Sequence, residues 1–116
     1  MTIDKTLDEF LKPIFSRKPA SVIALDVHDL TSYTDNIIVV TGTSTRQTKS
    51  IADHIYTDLK KKGKEALGVE GMKQGSWVLI DFGWVIIHVF DQETNELYDL
   101  GSLWADAPKI DLTHFE

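Results

Sequence analysis

The stretch that most constrains the fold is WVLIDFGWVIIHVF, residues 77–90, in which two apolar, β-branched runs meet at one glycine. This pattern predicts a β-hairpin with a tight two-residue turn, either Phe82-Gly83 or Gly83-Trp84. Side chains alternate between the two faces of a strand, so both turn registers give the same faces. One face is wholly apolar and is expected to lie in the core; it carries Val78, Ile80, Phe82, Val85, Ile87 and Val89.

The opposite face of the predicted hairpin is mixed. It combines aromatic, aliphatic, acidic and imidazole side chains, namely Trp77, Leu79, Asp81, Ile86 and His88. A face with this much apolar surface needs a cover. The cover is either a helix of the same chain or another molecule.

A helix between residues 44 and 63 is the most clearly marked element outside the hairpin. Ser44 and Gln47 have the spacing of a capping box at its start, and Gly63 supplies a left-handed residue after its end. An apolar stripe at helical spacing predicts the buried side, formed by Thr48, Ile51, Ala52, Ile55 and Leu59.

The rest of the sequence predicts further helices and strands before and after that helix in the chain. Apolar residues from Ile3 to Ile14 recur at helical spacing, and Pro13 is expected to kink or end this helix. Short apolar runs predict strands at 22–27 and 37–41, and a weaker strand at 65–69. Residues 91–95 look like a turn before a short amphipathic helix over 97–104.

Two of these strands are near-continuously apolar, which suggests a sheet covered on both faces. A chain of 116 residues is long enough for one domain with a real core and too short for two. We expect a single domain over residues 1–106. Residues 107–116, which include Pro108, are expected to form a loose tail.

Charge and composition limit the classes of partner. The net charge of −6 and pI of about 5.1 argue against a long basic groove for nucleic acid and favour a basic protein partner. The absence of cysteine excludes disulfides and thiolate catalysis and fits a cytoplasmic protein. No apolar run approaches the length of a membrane span or a signal sequence, so we expect a soluble, unprocessed chain.

Motifs of catalysis or metal binding are not found in the sequence. The turn Gly42-Thr43-Ser44 between a strand and a helix lacks the phosphate-loop patterns, and we interpret it as a helix cap. No pair of carboxylates stands where nucleotidyl transfer would need metal ligands, and the four histidines lack metal-binding spacing. We therefore expect no enzyme activity, cofactor or metal. The run Lys60-Lys61-Lys62 is interpreted as a solvated helix end, with an RNA contact as the alternative.

The aromatic residues leave two interpretations open. Trp77, Trp84, Tyr98 and Trp104 are many large aromatics for a small acidic domain. Such residues are typical of a core and also of an interface hot spot. The sequence alone does not choose between the two.

Several stretches together resemble the ribosomal silencing factor family, also called the Iojap family. They are IALDV at 23–27, TDNIIVVTGTSTRQTKSIADHI at 34–55, GVEG at 68–71, WVLIDFG at 77–83, VIIHVF at 85–90 and LYDLGSLWAD at 97–106. They follow the usual order and spacing over most of residues 20–106. Two positions depart from the family pattern, Trp84 in place of an acidic residue and Gly101 in place of a glutamate.

The resemblance implies a fold and a function. The fold would be a single α/β domain with a mixed β-sheet and flanking helices, similar to that of nucleotidyltransferases without their catalytic carboxylates. Members bind ribosomal protein L fourteen of the large ribosomal subunit and block joining of the small subunit when nutrients run short. Bacterial members often form homodimers, and organellar relatives act in large-subunit assembly.

The resemblance and the mixed face together predict a partner-binding surface. We expect it to include Trp77, Leu79, Asp81, Tyr98 and Trp104. The alternatives are a large-subunit assembly factor, an RNA-binding module and, in another class, an enzyme of the nucleotidyltransferase kind. We also expect a homodimer, because the mixed face leaves more apolar surface than a small monomer usually tolerates.

Overall fold

The computed structural model describes residues 5–115 and places them around one five-stranded mixed sheet, which confirms the predicted α/β class. The strand order across the sheet is β1-β2-β5-β4-β3. Only β2 and β5 pair in parallel; the other neighbours are antiparallel. The strands are β1 Ser21–Asp26, β2 Asn36–Gly42, β3 Gly68–Glu70, β4 Trp77–Asp81 and β5 Val85–Asp91.

The predicted hairpin is formed by β4 and β5. Ile80 pairs with Ile87, and the Phe82 N–H donates to the Val85 carbonyl at 2.9 Å, so Gly83 and Trp84 form the two-residue turn. Gly83 has φ +91°, which suits the first position of a II′ turn. The apolar face predicted for the hairpin is buried, with Val78, Ile80, Val85, Ile87 and Val89 inaccessible to solvent.

Two helices cover this apolar face. They are α1, Lys5–Ser16, and α2, Thr45–Lys61, which pack against each other and against the sheet. The α1 helix continues through Pro13 for three residues, because the proline removes only its own N–H bond and the turn that follows closes normally. Ile3 of the predicted apolar stripe lies outside the described residues.

The start of α2 is the predicted cap with one difference. Ser44 Oγ accepts the Gln47 N–H at 3.1 Å, as expected. The Gln47 side chain reaches back to Thr43 rather than to Ser44, and its Oε1 accepts the Thr43 hydroxyl at 2.8 Å. The predicted stripe of α2 is buried, and Gly63 after its end has φ +84°.

The other face of the sheet carries two short helices, and here the prediction was partly wrong. The polar residues 91–95, expected to form a turn, belong to α3, Gln92–Tyr98; Asp91 caps this helix by accepting the Thr94 N–H at 2.8 Å. Asp99, in the left-handed conformation, ends α3, and α4, Leu100–Leu103, follows.

The loose tail expected after residue 106 is also wrong for residues 107–115. This segment, here called the C-terminal strap, crosses the outer edge of β1. The Asp26 N–H donates to the Pro108 carbonyl at 2.9 Å, and the Ile110 N–H donates to the Ala24 carbonyl at 2.8 Å. Leu112 is buried in the helix-side core, so hydrogen bonds and apolar burial both fix the strap.

Candidate partner-binding surface

The mixed face of the hairpin is only partly covered in the folded chain. The side chains at 77, 79 and 81 of β4 stand beside those at 86, 88 and 90 of β5, in the predicted register. Ile86 and Phe90 are buried, whereas Trp77, Leu79, Asp81 and His88 keep part of their surface. The uncovered part of the face therefore lies toward β4.

Trp77 and His88 form the centre of this face. Trp77 Nε1–H donates to His88 Nδ1 at 3.0 Å, and the two ring centroids lie 5.9 Å apart. Because His88 Nδ1 accepts this bond, the neutral tautomer with the proton on Nε2 is the one that fits. Burial lowers the pKa of His88 from 6.5 to about 4, because the protein interior disfavours the charged ring.

Tyr98 extends the aromatic cluster to the end of α3. Its ring centroid lies 4.8 Å from that of Trp77, and Trp77 in turn lies 4.9 Å from Phe90. Aromatic pairs at these separations are attractive beyond their area of contact. Tyr98 remains 54% exposed, so its inner side is held by Trp77 while its outer side is available to a partner.

Two leucines close to Tyr98 in the sequence are also exposed. Leu97 of α3 is 77% exposed and Leu103 of α4 is 70% exposed. With Tyr98 they place three exposed, largely apolar side chains on α3 and α4, although single exposed leucines are ordinary. Sequence reasoning assigned Leu97 and Leu103 only to an amphipathic helix and did not place them in the binding surface.

Trp104 lies farther along the same side of the sheet. It is half-buried and packs against a second apolar cluster that includes Leu25, Val39, Phe90 and Ala107. Trp77 packs against this cluster as well. The structure therefore joins Trp77 and Trp104 to one core while leaving part of each ring accessible.

Asp81 and Leu79 occupy the β4 side of the mixed face. Asp81 Oδ1 accepts the Gly83 N–H at 2.8 Å, which supports the hairpin turn. Leu79 pairs with His88 on one side and with Glu70 of β3 on the other. The fold thus brings four of the five predicted binding residues to one side of the sheet, namely Trp77, Leu79, Tyr98 and Trp104. Asp81 lies at the edge of that surface, next to the hairpin turn.

Trp84 does not belong to this surface. Its ring packs edge-on against Phe10 of α1, with centroids 5.5 Å apart, on the helix-covered side. Phe82 contacts the same Phe10 ring at 5.0 Å. Of the four aromatics left open by the sequence, Trp84 therefore has a role within the monomer.

The remaining histidines make local contacts at the surface. His28 lies 3.0 Å from Asp35, and this hydrogen bond raises the pKa of His28. His114 of the strap lies 3.1 Å from Asp8 of α1. Within the described range, no three His, Asp or Glu side chains gather as a metal site would require. Among the same residues, no helix is long and apolar enough to cross a membrane.

Comparison with known proteins points to one family. The family model described as ribosomal silencing factor during starvation matches residues 1–116. The chain is 39% identical over 100 residues to a ribosomal silencing factor of Haemophilus influenzae, covering 85% of this chain and 98% of that protein. A mouse protein named for mitochondrial assembly of the ribosomal large subunit is 35% identical over 75 residues, which is 62% of this chain and 33% of that protein.

Two solved structures are similar over nearly the whole chain. A crystal structure of a Chromobacterium violaceum protein superposes with a TM-score of 0.84 at 35% identity, covering 90% of this chain and 88% of that one. A Bacillus halodurans crystal structure gives a TM-score of 0.82 at 30% identity, covering 93% and 98%. Both proteins are therefore similar to this chain in fold and in sequence.

Proposed function

Because the chain belongs to the ribosomal silencing factor family, we propose that it binds the large ribosomal subunit through ribosomal protein L fourteen and sterically blocks joining of the small subunit. The repression would operate in the cytoplasm, mainly in nutrient limitation or stationary phase. Binding alone accounts for this activity, so the proposal needs neither catalysis nor a cofactor.

The observation that carries the proposal is the half-exposed aromatic cluster on the mixed face. Tyr98 is packed on Trp77 yet 54% exposed, and Leu97 of α3 and Leu103 of α4 are exposed as well. An aromatic ring already fixed on its inner side loses little conformational entropy when a partner covers its outer side. Such pre-ordered Trp and Tyr side chains are typical of interface hot spots.

The charge around this cluster fits a basic partner. Acidic side chains stand on and next to α3 and α4 and at the end of β4; they are Asp81, Glu93, Glu96, Asp99 and Asp106. A rim of one charge sign accelerates association with a partner of the opposite sign and disfavours partners of the same sign. A ribosomal protein that binds RNA is expected to be rich in Lys and Arg.

The direct test is sedimentation of the protein with purified large subunits, followed by addition of small subunits. We expect the protein to sediment with large subunits and to reduce the yield of joined ribosomes. Tyr98→Ala should weaken binding by about 2 kcal/mol, roughly 30-fold. The matched control is Tyr33→Ala, because Tyr33 is 67% exposed but lies on the 28–35 loop between β1 and β2 rather than on α3.

Two results would contradict the proposal. Equal affinity of the Tyr98→Ala and Tyr33→Ala variants would remove Tyr98 from the surface. Absence of sedimentation with large subunits, combined with metal-dependent consumption of a nucleotide, would favour the enzyme class instead.

Large-subunit assembly is a second candidate function, favoured by the similarity to the mouse protein. The two functions differ in what happens when the protein is depleted. Loss of a silencing factor leaves mature large subunits and raises the fraction of joined ribosomes in starved cells. Loss of an assembly factor instead accumulates immature large-subunit particles, which gradient profiles of growing cells would reveal.

The proposal extends to self-association through the same mixed face. A twofold pair would bury the patch around Tyr98 against its own copy, within the range of about 800 Å² per partner that stable interfaces use. Light scattering over a concentration series, with and without large subunits, tests this extension. A monomeric mass at tens of micromolar protein would contradict it.

A further inference from the structure

The charged residues are unevenly divided between the two long helices and the rest of the chain. Residues 7–18 and 45–64, which form or flank α1 and α2, contain nine Lys or Arg and four Asp or Glu. Residues 19–44 and 65–115, which form the sheet, α3, α4 and the C-terminal strap, contain two Lys and twelve Asp or Glu. The helix layer is therefore cationic, although the whole protein carries a charge of −6.

Part of this positive charge lies along one side of α2. Arg46, Lys49 and Lys60 recur at helical spacing on the side opposite the buried stripe, and Lys61 lies next to Lys60. All four side chains are exposed. We call these four residues the cationic face. From Arg46 to Lys60 it extends about 21 Å, at 1.5 Å per residue.

The cationic face keeps most of its charge uncompensated within the described structure. The ion pairs found in this layer involve other lysines: Lys62 pairs with Asp58 at 2.9 Å, and Lys64 pairs with Glu9 at 3.2 Å. Asp53 is the one carboxylate placed among the four cations along α2. A helix end needs positive charge only in its last turn, which explains Lys60 and Lys61 but not Arg46 and Lys49 near the start.

We propose that the cationic face binds the phosphate backbone of RNA, without reading its sequence. Phosphates of one duplex strand follow each other about every 3.4 Å along the axis, so a 21 Å face runs alongside roughly six of them. The acidic side chains on the far side of the sheet do not prevent this approach. The molecule measures 28 Å along its shortest axis, whereas charges are screened over about 8 Å at physiological salt.

The two sides of the sheet would then have different partners. The mixed face lies beyond the sheet from the cationic face, so the aromatic cluster and the lysines cannot contact one flat surface together. The RNA contact does not require that the proposed function is correct. If both hold, the protein contacts a basic protein on one side and RNA on the other.

The test measures binding to a labelled RNA hairpin by fluorescence anisotropy between 50 and 200 mM salt, concentrations over which phosphate contacts weaken strongly. The variant Arg46→Gln, Lys49→Gln, Lys60→Gln, Lys61→Gln removes the cationic face. Glutamine is a good helix former, and these positions are exposed, so circular dichroism should show an unchanged fold. We expect the slope of log affinity against log salt to flatten by roughly 0.7 to 0.9 per contact, about 3 in total.

A matched control separates the position of the charges from the net charge. The variant Ser32→Glu, Gln92→Glu, Ala105→Glu, Thr113→Glu adds four negative charges at exposed positions outside α1 and α2. It has the same net charge as the glutamine variant and should keep the wild-type salt slope. If the glutamine variant unfolds, Lys60→Gln with Lys61→Gln alone should flatten the slope by about half as much.

Three results would overturn the inference. The wild-type protein could show no RNA binding at 50 mM salt, the glutamine variant could keep the wild-type slope, or both four-residue variants could lose affinity equally. Tyr98→Ala separates this inference from the proposed function. That variant should lose affinity for large subunits and keep its affinity for the RNA hairpin.

Discussion

The hydrogen bond between Trp77 and His88 predicts how stability depends on pH. The folded chain holds His88 neutral, with its pKa lowered by burial to about 4, whereas an unfolded chain has a histidine pKa of 6.5. Between these values the unfolded state binds the additional proton. The free energy of unfolding contributed by His88 is therefore complete above pH 6.5 and is lost as the pH falls toward 4.

The size of this effect follows from the pKa difference. One pKa unit corresponds to about 1.4 kcal/mol, so His88 accounts for roughly 3 kcal/mol of stability lost between pH 7 and pH 4. Burial of the ring is the cause, and the geometry of its neighbour agrees with a neutral ring. Protonation would place a hydrogen on Nδ1, where the Trp77 Nε1–H already points at 3.0 Å, so two donors would face each other.

The variant His88→Asn isolates this contribution. Asparagine does not titrate, and its Oδ1 can accept the Trp77 Nε1–H in place of the ring nitrogen. We expect the variant to be less stable than wild type at pH 7, because it loses ring packing with Phe90, and the two stability curves should converge toward pH 4. Urea denaturation followed by tryptophan fluorescence at a series of pH values measures both curves.

His28→Asn provides the control. His28 is exposed, and its hydrogen bond with Asp35 raises its pKa. Any contribution of His28 to the free energy of unfolding is therefore present at low pH and lost as the pH rises, opposite to that of His88. Its curve should therefore not converge with wild type on acidification. Parallel curves for wild type and His88→Asn over pH 7 to 4 would refute the reasoning.

Two further predictions concern stability. Gly71→Ala should destabilise the protein by roughly 2 kcal/mol or more in urea denaturation, because Gly71 has φ +85° and a Cβ there would lie 2.0 Å from the Trp77 carbonyl oxygen. Unchanged stability would contradict this. Leu112→Ala should lower the free energy of unfolding by about 2 to 3 kcal/mol, because Leu112 packs the C-terminal strap into the core. The control is Leu67→Ala at an exposed leucine, which should change it by no more than about 0.5 kcal/mol. Equal losses in the two variants would mean that Leu112 does not hold the strap.

The sequence was sufficient for the elements with strong periodicity or strong caps. The two faces of the hairpin follow from alternation alone, and α2 follows from Ser44, its apolar stripe and Gly63. The helix α3 was missed because its first residues are polar and resemble a turn. Asp91 ends β5 and caps α3 at the same time, so no loop separates the two elements.

The C-terminal strap and part of the candidate surface could not be predicted for a different reason. The strap is fixed by backbone groups that bond to Ala24 and Asp26, and backbone groups are the same in every sequence. Trp77 and Tyr98 were both selected as candidates from the sequence, but their contact depends on how α3 crosses the sheet. The apolar character of Leu97 and Leu103 was visible, whereas their exposure required the tertiary structure.

The C-terminal strap also has a consequence for the order in which the chain can fold during synthesis. It covers the outer edge of β1, and its bridge residue Lys109 is made 84 residues after its partner, Leu25. At 5 to 20 residues per second, the translating ribosome leaves that edge open for roughly 4 to 17 seconds. During this interval the apolar strand SVIALD presents unpaired N–H and C=O groups. Nascent chains crowded on one messenger RNA are therefore most prone to pair wrongly with each other before the strap has been made.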